Sequence, residues 1–186
     1  SVRDDFSTVT YNLYSVDSRS FHSYTDYYFP DGALEKHPNC ELYKGWVKAG
    51  YLKLCKGDII DYQQIVDDIL KMANYLCIMG IGYDPYKSAE FVNLLSSSVG
   101  GEADIINPVK QTYGTFTSPV ESFEIAIYSN KISFDPNPIT PYCFANAVLD
   151  EDRNCNRKPI KKTHNAKIDS TITNLMTFHL FNNLTS

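Results

Sequence analysis

The chain has 186 residues and a formal net charge of −5, with 43% hydrophobic, 21% charged and 13% aromatic residues, which is the balance of an ordinary globular domain. No apolar run reaches the roughly 18 residues of a membrane span, and the polar start SVRDDFSTVTYN has no signal-peptide core, so we expect one soluble, cytoplasmic domain over residues 1–186. The acidic balance argues against a nonspecific polyanion binder, and five scattered cysteines exclude a zinc knuckle or disulfide scaffold and predict reduced packing residues.

The chain begins with a predicted β-hairpin. Residues 6–14 (FSTVTYNLY) are β-branched and aromatic, and a second strand over residues 20–29 should pair with them. Pro30-Asp31-Gly32 then predicts a turn. Residues 40–52 predict a helix with Leu42, Trp46 and Ala49 on one face and Gly50 as the C-terminal cap, followed by an extended piece at 51–54.

A helix and a buried strand follow. Asp61 is placed as the N-cap of a helix whose apolar residues recur at 3–4 spacing from Ile65 to Ala73. The continuous apolar run LCIMGIGY, Leu76 to Tyr83, is too short for another helix and predicts a buried strand that ends at Asp84-Pro85.

The second half of the chain predicts mainly helices. A helix over about 87–98, with Phe91, Leu94 and Leu95 as its apolar face, should stop at Gly100-Gly101, and Ile105-Ile106 predicts a short strand. Ser118-Pro119-Val120-Glu121 resembles a capping box and predicts a helix to about Ser129. Phe123, Ile127 and Tyr128 of this helix should face inward. A short helix is expected over 141–148, followed by a hairpin or loop in the basic stretch, residues 153–167. The last helix should run from Asp169 or Ser170 to about Asn182, with one face formed by Ile172, Leu175, Met176 and His179.

This order of elements is typical of an α/β domain with a mixed sheet, in which ligand sites lie beyond the carboxyl ends of the buried strands. The chain lacks the motifs GxxxxGK[ST], GxGxxG, HExxH, CxxC and GxSxG, which excludes a P-loop motor and several familiar enzyme sites. Its four histidines are dispersed and are interpreted as surface or packing residues.

Two carboxylates stand out as candidates for chemistry. Asp84 directly follows the predicted apolar strand, and Asp169 begins the final helix; for each the alternative is a plain helix cap. Asp61 is kept as a cap, and Asp4 and Asp5 are by default a polar terminus.

A basic segment accompanies these acids. Residues 153–167 hold six Lys or Arg and no acid, whereas the rest of the chain has 11 bases against 22 acids. The segment is interpreted either as a solvated hairpin or as a phosphate-binding surface. Converging carboxylates bind hard divalent ions and nearby cations neutralise a phosphate backbone, so the combination indicates a metal-dependent nuclease that hydrolyses phosphodiesters with two ions.

A set of ordered motifs resembles one known family, the C-terminal nuclease domain of the large subunit of tailed-phage terminases. The resemblance runs from about residue 6 to residue 183. It is carried by the W-x-x-x-G-x-L-x-x-x-x-G-x-x-I-D-Y pattern (Trp46, Gly50, Leu52, Gly57, Ile60, Asp61, Tyr62), IGYDPY (81–86), the SP-x-E-S-F-E helix start at Ser118, Asn137-Pro138 followed by a helix with Asn146, and KPIKKTHNAKID ending at Asp169.

The resemblance implies an RNase H-like fold, a curved mixed sheet with helices on both faces, which cuts concatemeric DNA during genome packaging. In that family an acidic triad holds two Mg²⁺ or Mn²⁺ ions; Asp84 matches the second acid and Asp169 the third. The first acid lies in a D-x-S-like motif that the chain does not contain, so Asp4 or Asp5 either matches a later Asp or replaces this ligand. The implied DNA contacts are Arg157, Lys158, Lys161, Lys162 and Lys167.

The implied partners are double-stranded DNA, the terminase ATPase domain, the small terminase subunit and the portal, in the cytoplasm of a bacterial host. The chain is expected to lack the ATPase half, consistent with its missing P-loop, and to be either a truncated piece or one in which Asp4 or Asp5 replaces the missing ligand. Two alternatives stay open. One is a catalytically impaired nuclease-fold module that binds DNA or docks in the packaging complex. The other is an acidic α/β domain that resembles terminases in structure only.

Overall fold

The computed structural model describes residues 6–86, 88–99 and 104–186, so Asp4, Asp5 and the predicted helix stop at Gly100-Gly101 lie outside the described residues. Within the described part of the chain, no helix has the length and apolarity needed to cross a bilayer. The elements in chain order are β1 (Ser7–Ser15), β2 (Ser20–Pro30), α1 (Asp31–Leu34), α2 (Cys40–Lys48), β3 (Lys53–Cys55), α3 (Tyr62–Ala73), β4 (Ile81–Tyr83), α4 (Ala89–Val99), β5 (Ile106–Pro108), α5 (Tyr113–Tyr128), β6 (Ile132–Phe134), α6 (Ile139–Ala145), β7 (Ala147–Glu151), β8 (Arg157–Lys161) and α7 (Asp169–Thr185).

The main sheet is mixed. The predicted hairpin is confirmed: β1 and β2 pair antiparallel over their whole length, with Thr10 opposite Thr25. The other edge of β2 is shared by two short parallel strands, β6 beside its beginning and β3 beside its end. Two smaller pairs complete the strands, parallel β4–β5 and the antiparallel β7–β8 hairpin, of which β8 lies in the basic stretch and β7 before it.

Helices cover both faces of the main sheet, as predicted. Successive side chains of β2 point to opposite faces. On one face, Tyr27 and Phe29 pack with Tyr43 and Trp46 of α2, all of them buried. On the other face, Tyr28 packs into a core that α3, α4 and the β3 region share, formed by Cys55, Ile60, Ile65, Val66, Ile69 and Leu95.

Helix α7 lies on the β1–β2 hairpin through a row of small polar side chains. The Thr173 hydroxyl is 2.7 Å from that of Thr10, and Asn12 donates to the Thr177 hydroxyl at 3.1 Å. The Ser23 hydroxyl donates to Oδ1 of Asn174 at 2.7 Å, and both residues are buried. These bonds satisfy polar groups that would be costly to bury alone, and they fix the register of α7 against the sheet.

Several local predictions are confirmed in detail. The Asp61 side chain accepts hydrogen bonds from the backbone N–H groups of Gln63 and Gln64 and so caps α3. Gly50 has φ +82°, the left-handed conformation of a residue that ends a helix. Of the face predicted for α2, Trp46 is buried as expected, but Leu42 and Ala49 are exposed, and Tyr43 lies inward beside Trp46 instead.

The predicted buried strand over Leu76 to Tyr83 is wrong. Only Ile81–Tyr83 is a strand, its residues are half-buried, and Met79 is 64% exposed. In the described residues β4 pairs with β5 alone, so this apolar run borders an open cavity and is not enclosed in the main sheet.

The capping box predicted at Ser118 is also wrong. Helix α5 starts at Tyr113, because the Thr112 side chain accepts from the Thr115 N–H at 3.1 Å and caps it earlier, which leaves Pro119 inside the helix. Phe123 faces inward as predicted, whereas Ile127 and Tyr128 are exposed. The buried residues of α5 are Phe116, Pro119, Val120, Phe123 and Ala126.

The other elements agree with expectation apart from their ends, one missed strand and the short helix α1, which lies where a turn was predicted at Pro30-Asp31-Gly32. Helix α6 begins two residues before the predicted 141, α7 extends past Asn182, and β6 had no predicted counterpart. All five cysteines are free thiols: Cys55 and Cys143 are packing residues as predicted, whereas Cys77 and Cys155 are exposed and are not.

Candidate active site

A large cavity lies between the free edge of β1 and the segment that ends with β4. Its volume is about 970 Å³. Every residue from Ser7 to Tyr14 and from Leu76 to Asp84 lines it, so the cavity meets both strands along their backbone edges. α7 and part of α3 complete the walls, which are mainly apolar. Among the lining residues are the two candidate acids, Asp84 and Asp169, and three further polar or charged residues, Ser88, Gln111 and Lys161.

The direction of α7 brings both candidate acids to the same end of the cavity. Gly80 of the cavity wall lies near Leu184, and a Cβ on Gly82 would lie 3.1 Å from Cδ1 of Leu180, so α7 and β4 run in opposite directions. The start of α7, with Asp169, is therefore at the end where β4 finishes with Asp84. The absence of a side chain at Gly82 allows this close approach.

Asp84 is held by groups around it. Its Oδ1 accepts from the backbone N–H of Tyr86 at 2.9 Å, and its Oδ2 accepts from the Gln111 side-chain amide at 2.7 Å. The Ser88 hydroxyl donates to the Asp84 carbonyl oxygen. Because α4 begins only at Ala89, the carboxylate closes a turn and does not serve as the N-cap of that helix.

Asp169 is the first residue of α7. Ile168 occupies the N-cap position and is buried, so the helix-cap interpretation of Asp169 is wrong. A carboxylate in the first helical turn is favoured by the helix dipole. The preceding backbone is fixed from α6, because Asn146 donates its amide to the Lys167 carbonyl at 3.2 Å.

Cys143, next to Asp169, is a buried thiol. Burial raises the pKa of its thiol to about 11, and the Asp169 carboxylate adds to this effect although Ser170 opposes it. Cys143 does not line the cavity. The two acids that do line it supply carboxylate oxygens, which suit Mg²⁺ and Mn²⁺.

A complete set of three ligands is not formed by residues 6–86, 88–99 and 104–186, in which no three His, Cys, Asp or Glu side chains form a group able to hold a metal ion. The pair Asp84 and Asp169 fits the hard oxygen chemistry of a divalent ion but supplies two carboxylates. The strand β1, which begins at Ser7, runs parallel to α7, as the Thr10–Thr173 and Asn12–Thr177 contacts show. Its first residues are therefore at the same end of the cavity.

The basic residues predicted to contact DNA are in different environments. Lys161 is exposed and lines the cavity with the two acids. Arg157 forms a two-pronged ion pair with Glu124, at 3.2 and 2.9 Å. The Lys158 ammonium lies 4.5 Å from the centre of the Tyr113 ring. Lys162 donates its ammonium to the Ala145 carbonyl at 2.6 Å, and Lys167 is half-buried.

One residue of the site was not identified from the sequence. Gln111 follows β5 and reaches Asp84 across the β4–β5 pair, and no local pattern marks it. Asn146 was identified as part of the Asn137-Pro138 motif, but without a role. Asn137 is buried, accepts from the Ile139 N–H at 3.0 Å and donates to the Tyr51 carbonyl at 3.0 Å. This motif anchors α6, whose end fixes the start of α7.

Comparison with known families and structures finds one consistent group. A family model described as "Terminase large subunit, endonuclease domain" matches residues 1–183. The chain is 29% identical over 173 residues to protein YmfN of Escherichia coli strain K12, a match that covers 89% of this chain and 36% of that protein. The chain thus spans about a third of the length of this curated relative.

Two crystal structures have a similar fold. The HK97 bacteriophage large terminase matches with a TM-score of 0.83 at 20% identity, over 96% of this chain and 37% of that one. The large terminase nuclease from thermophilic phage G20c matches with a TM-score of 0.55 at 8% identity, over 95% of this chain and 74% of that one. These likenesses confirm the expected RNase H-like α/β fold.

Proposed function

The chain belongs to the family of terminase large subunit endonuclease domains, and from this membership we propose that it is a divalent-metal-dependent endonuclease domain that cuts concatemeric DNA during genome packaging. The observation that carries the proposal is that Asp84 and Asp169 line one cavity, with α7 and β4 running in opposite directions so that both acids lie toward the end where β4 finishes. The alternative of an acidic α/β domain that is similar to terminases in structure only is disfavoured, because the family model covers nearly the whole chain.

The two carboxylates would hold Mg²⁺ or Mn²⁺. When bound in a two-ion site, such ions activate a water molecule and stabilise the leaving oxygen of a phosphodiester. The protein's own contribution is the orientation of the ligands: the turn at Tyr86 and the Gln111 amide fix Asp84, while Asn146 fixes the backbone before Asp169. The printed donors to Asp84, the Tyr86 N–H and the Gln111 amide, bring no positive charge that would compete with a cation.

We propose that the third carboxylate comes from Asp4 or Asp5. They are the two residues before Phe6, and β1, which starts at Ser7, begins near the start of α7 with Asp169. A third oxygen ligand would fix the ion more firmly than two.

Lys161 is the proposed phosphate contact next to the acids. It is exposed, lines the same cavity, and lies at the end of β8 in the basic segment. Lys158, Lys162 and Lys167 would extend this surface along the DNA. Arg157 is assigned a structural role, because its guanidinium is taken by Glu124.

The remaining partners follow from the family. We propose that the domain acts on double-stranded DNA in the cytoplasm of a bacterial host, together with a terminase ATPase domain, a small terminase subunit and a portal. The net charge of −5 indicates weak DNA affinity for this chain alone, so these partners would bring the substrate to it.

A second candidate function is a nuclease-fold module that binds DNA or docks in the packaging complex without cutting. The absence of a three-ligand group among the described residues favours it. The two candidates differ in one property, cleavage in the presence of metal.

The experiment is a plasmid-cleavage assay with Mn²⁺, with Mg²⁺ and with chelator, comparing wild type with Asp84→Asn and Asp169→Asn. Asp67→Asn is the matched control, since Asp67 is exposed on α3 and does not line the cavity. We expect metal-dependent cleavage that falls more than about 100-fold in both cavity variants, because loss of an outer-shell partner alone costs about 10–100-fold. The control should cleave like wild type.

Thermal unfolding of each variant checks that the fold is intact. Full activity of Asp84→Asn would remove that residue from the mechanism, and cleavage in chelator would refute metal dependence. If folded wild type binds DNA but does not cleave it with either Mn²⁺ or Mg²⁺, the non-cutting module is established instead.

A further inference from the structure

We infer that Gln111 is a positioning residue for the Asp84 carboxylate, holding it in the orientation in which it receives the metal ion. The inference rests on the proposed function and extends it to a residue that touches neither DNA phosphate nor metal in its proposed role. The observation behind it is the hydrogen bond from the Gln111 side-chain amide to Oδ2 of Asp84, at 2.7 Å, within the wall of the cavity.

The backbone around Gln111 is fixed on both sides. Before it, the Val109 N–H donates to the Tyr83 carbonyl at 2.7 Å and continues the β4–β5 pairing up to the residue that precedes Asp84. After it, Thr112 caps α5 through the Thr115 N–H. The side chain therefore extends from a rigid junction between a strand and a helix, which is the kind of support that precise ligand placement requires.

The chemistry of the contact suits a metal site. A carboxylate rotates easily about its last torsion, and its two oxygens offer about four lone pairs. The Tyr86 N–H uses one lone pair of Oδ1 and Gln111 uses one of Oδ2, so rotation is blocked while each oxygen keeps a lone pair for a cation. An amide donor brings no positive charge, so unlike lysine or arginine it does not compete with the ion.

The test replaces Gln111 by an isostere without a donor, Gln111→Met, and measures Mn²⁺ binding to the protein by the electron paramagnetic resonance signal of free Mn²⁺. The matched control is Gln63→Met, because Gln63 makes the same kind of bond to Asp67, at 2.9 Å, and both residues are exposed on α3 and do not line the cavity. We expect Gln111→Met to bind Mn²⁺ about 10–100-fold more weakly and the control to bind like wild type.

A second readout separates positioning from a merely structural role. Raising the Mn²⁺ concentration should restore the cleavage rate of Gln111→Met, while its affinity for DNA in chelator should equal that of wild type. Equal Mn²⁺ affinity in Gln111→Met and wild type would overturn the inference, as would an equal loss in Gln63→Met. Asp84→Asn, measured alongside, tests the proposed function: undiminished Mn²⁺ binding there, or no binding by wild type, would overturn the metal site itself.

Discussion

Removing the ammonium of Lys161 should weaken DNA binding and flatten its dependence on salt. Within the described residues, Lys161 is the one lysine or arginine that lines the cavity with the two acids. Each phosphate that a protein neutralises contributes about 0.9 to the slope of log affinity against log salt. Lys161→Ala should therefore reduce the slope by about 0.9, so that between about 50 and 200 mM salt the variant loses about 3.5-fold less affinity than wild type.

The assay is fluorescence anisotropy of a labelled duplex at several salt concentrations, in chelator so that no cleavage occurs. Two controls remove one positive charge elsewhere. Lys36→Ala changes an exposed lysine outside the cavity, and Arg157→Ala changes a guanidinium that Glu124 already neutralises. Both should leave the slope unchanged. Equal slope changes in all three variants would show that DNA binding depends only on net charge. An unchanged slope in Lys161→Ala would show that the β7–β8 hairpin is a solvated surface that does not contact phosphate.

Two further predictions concern the stability of the fold. Asn174→Ala should lower the free energy of unfolding by about 2 kcal/mol, because it leaves the buried Ser23 hydroxyl without its acceptor. Urea denaturation measures this change. A decrease below about 0.5 kcal/mol would refute the role of the polar side chains between α7 and the hairpin. For Asp68, burial acts to raise the pKa, but the Lys53 ammonium and the Tyr28 hydroxyl outweigh it and hold the pKa below its ordinary 3.8. Its contribution to stability is thus present above about pH 3.8 and is lost as the pH falls through the lower folded-state pKa. The free energy of unfolding of Asp68→Asn, measured from pH 5 to pH 2, should therefore decrease less steeply than that of wild type. The same pH dependence in both proteins would contradict this.

The confirmed predictions are those that rest on contacts within one helical turn or between adjacent strands. The Asp61 cap is a contact between a side chain and the N–H groups two and three residues later, so sequence spacing suffices to predict it. The β1–β2 hairpin follows from two β-branched, aromatic runs with a turn between them, and its full pairing is observed.

Local signals failed where a competing contact was stronger or lay outside the window. The motif at Ser118 resembles a helix start, but the Thr112 cap begins α5 earlier and the helix continues through Pro119. The run from Leu76 to Tyr83 is apolar enough for a buried strand, yet its exposure depends on whether a neighbouring strand covers it. Such coverage is a property of the sheet and has no signature within eight residues.

The sequence by itself determined the class of the domain, the identity of the candidate acids and the cationic segment beside them, because each of these is a matter of residue type and short spacing. Only the tertiary structure decided that Asp84, Gln111, Lys161 and Asp169 line one cavity, since they come from separate segments whose meeting depends on the register of α7 against β1 and β4. It also separated Lys161, which lies in the cavity, from Arg157, which Glu124 holds. The physical reason is that charge and propensity belong to single residues, whereas the distance between remote side chains is fixed by packing.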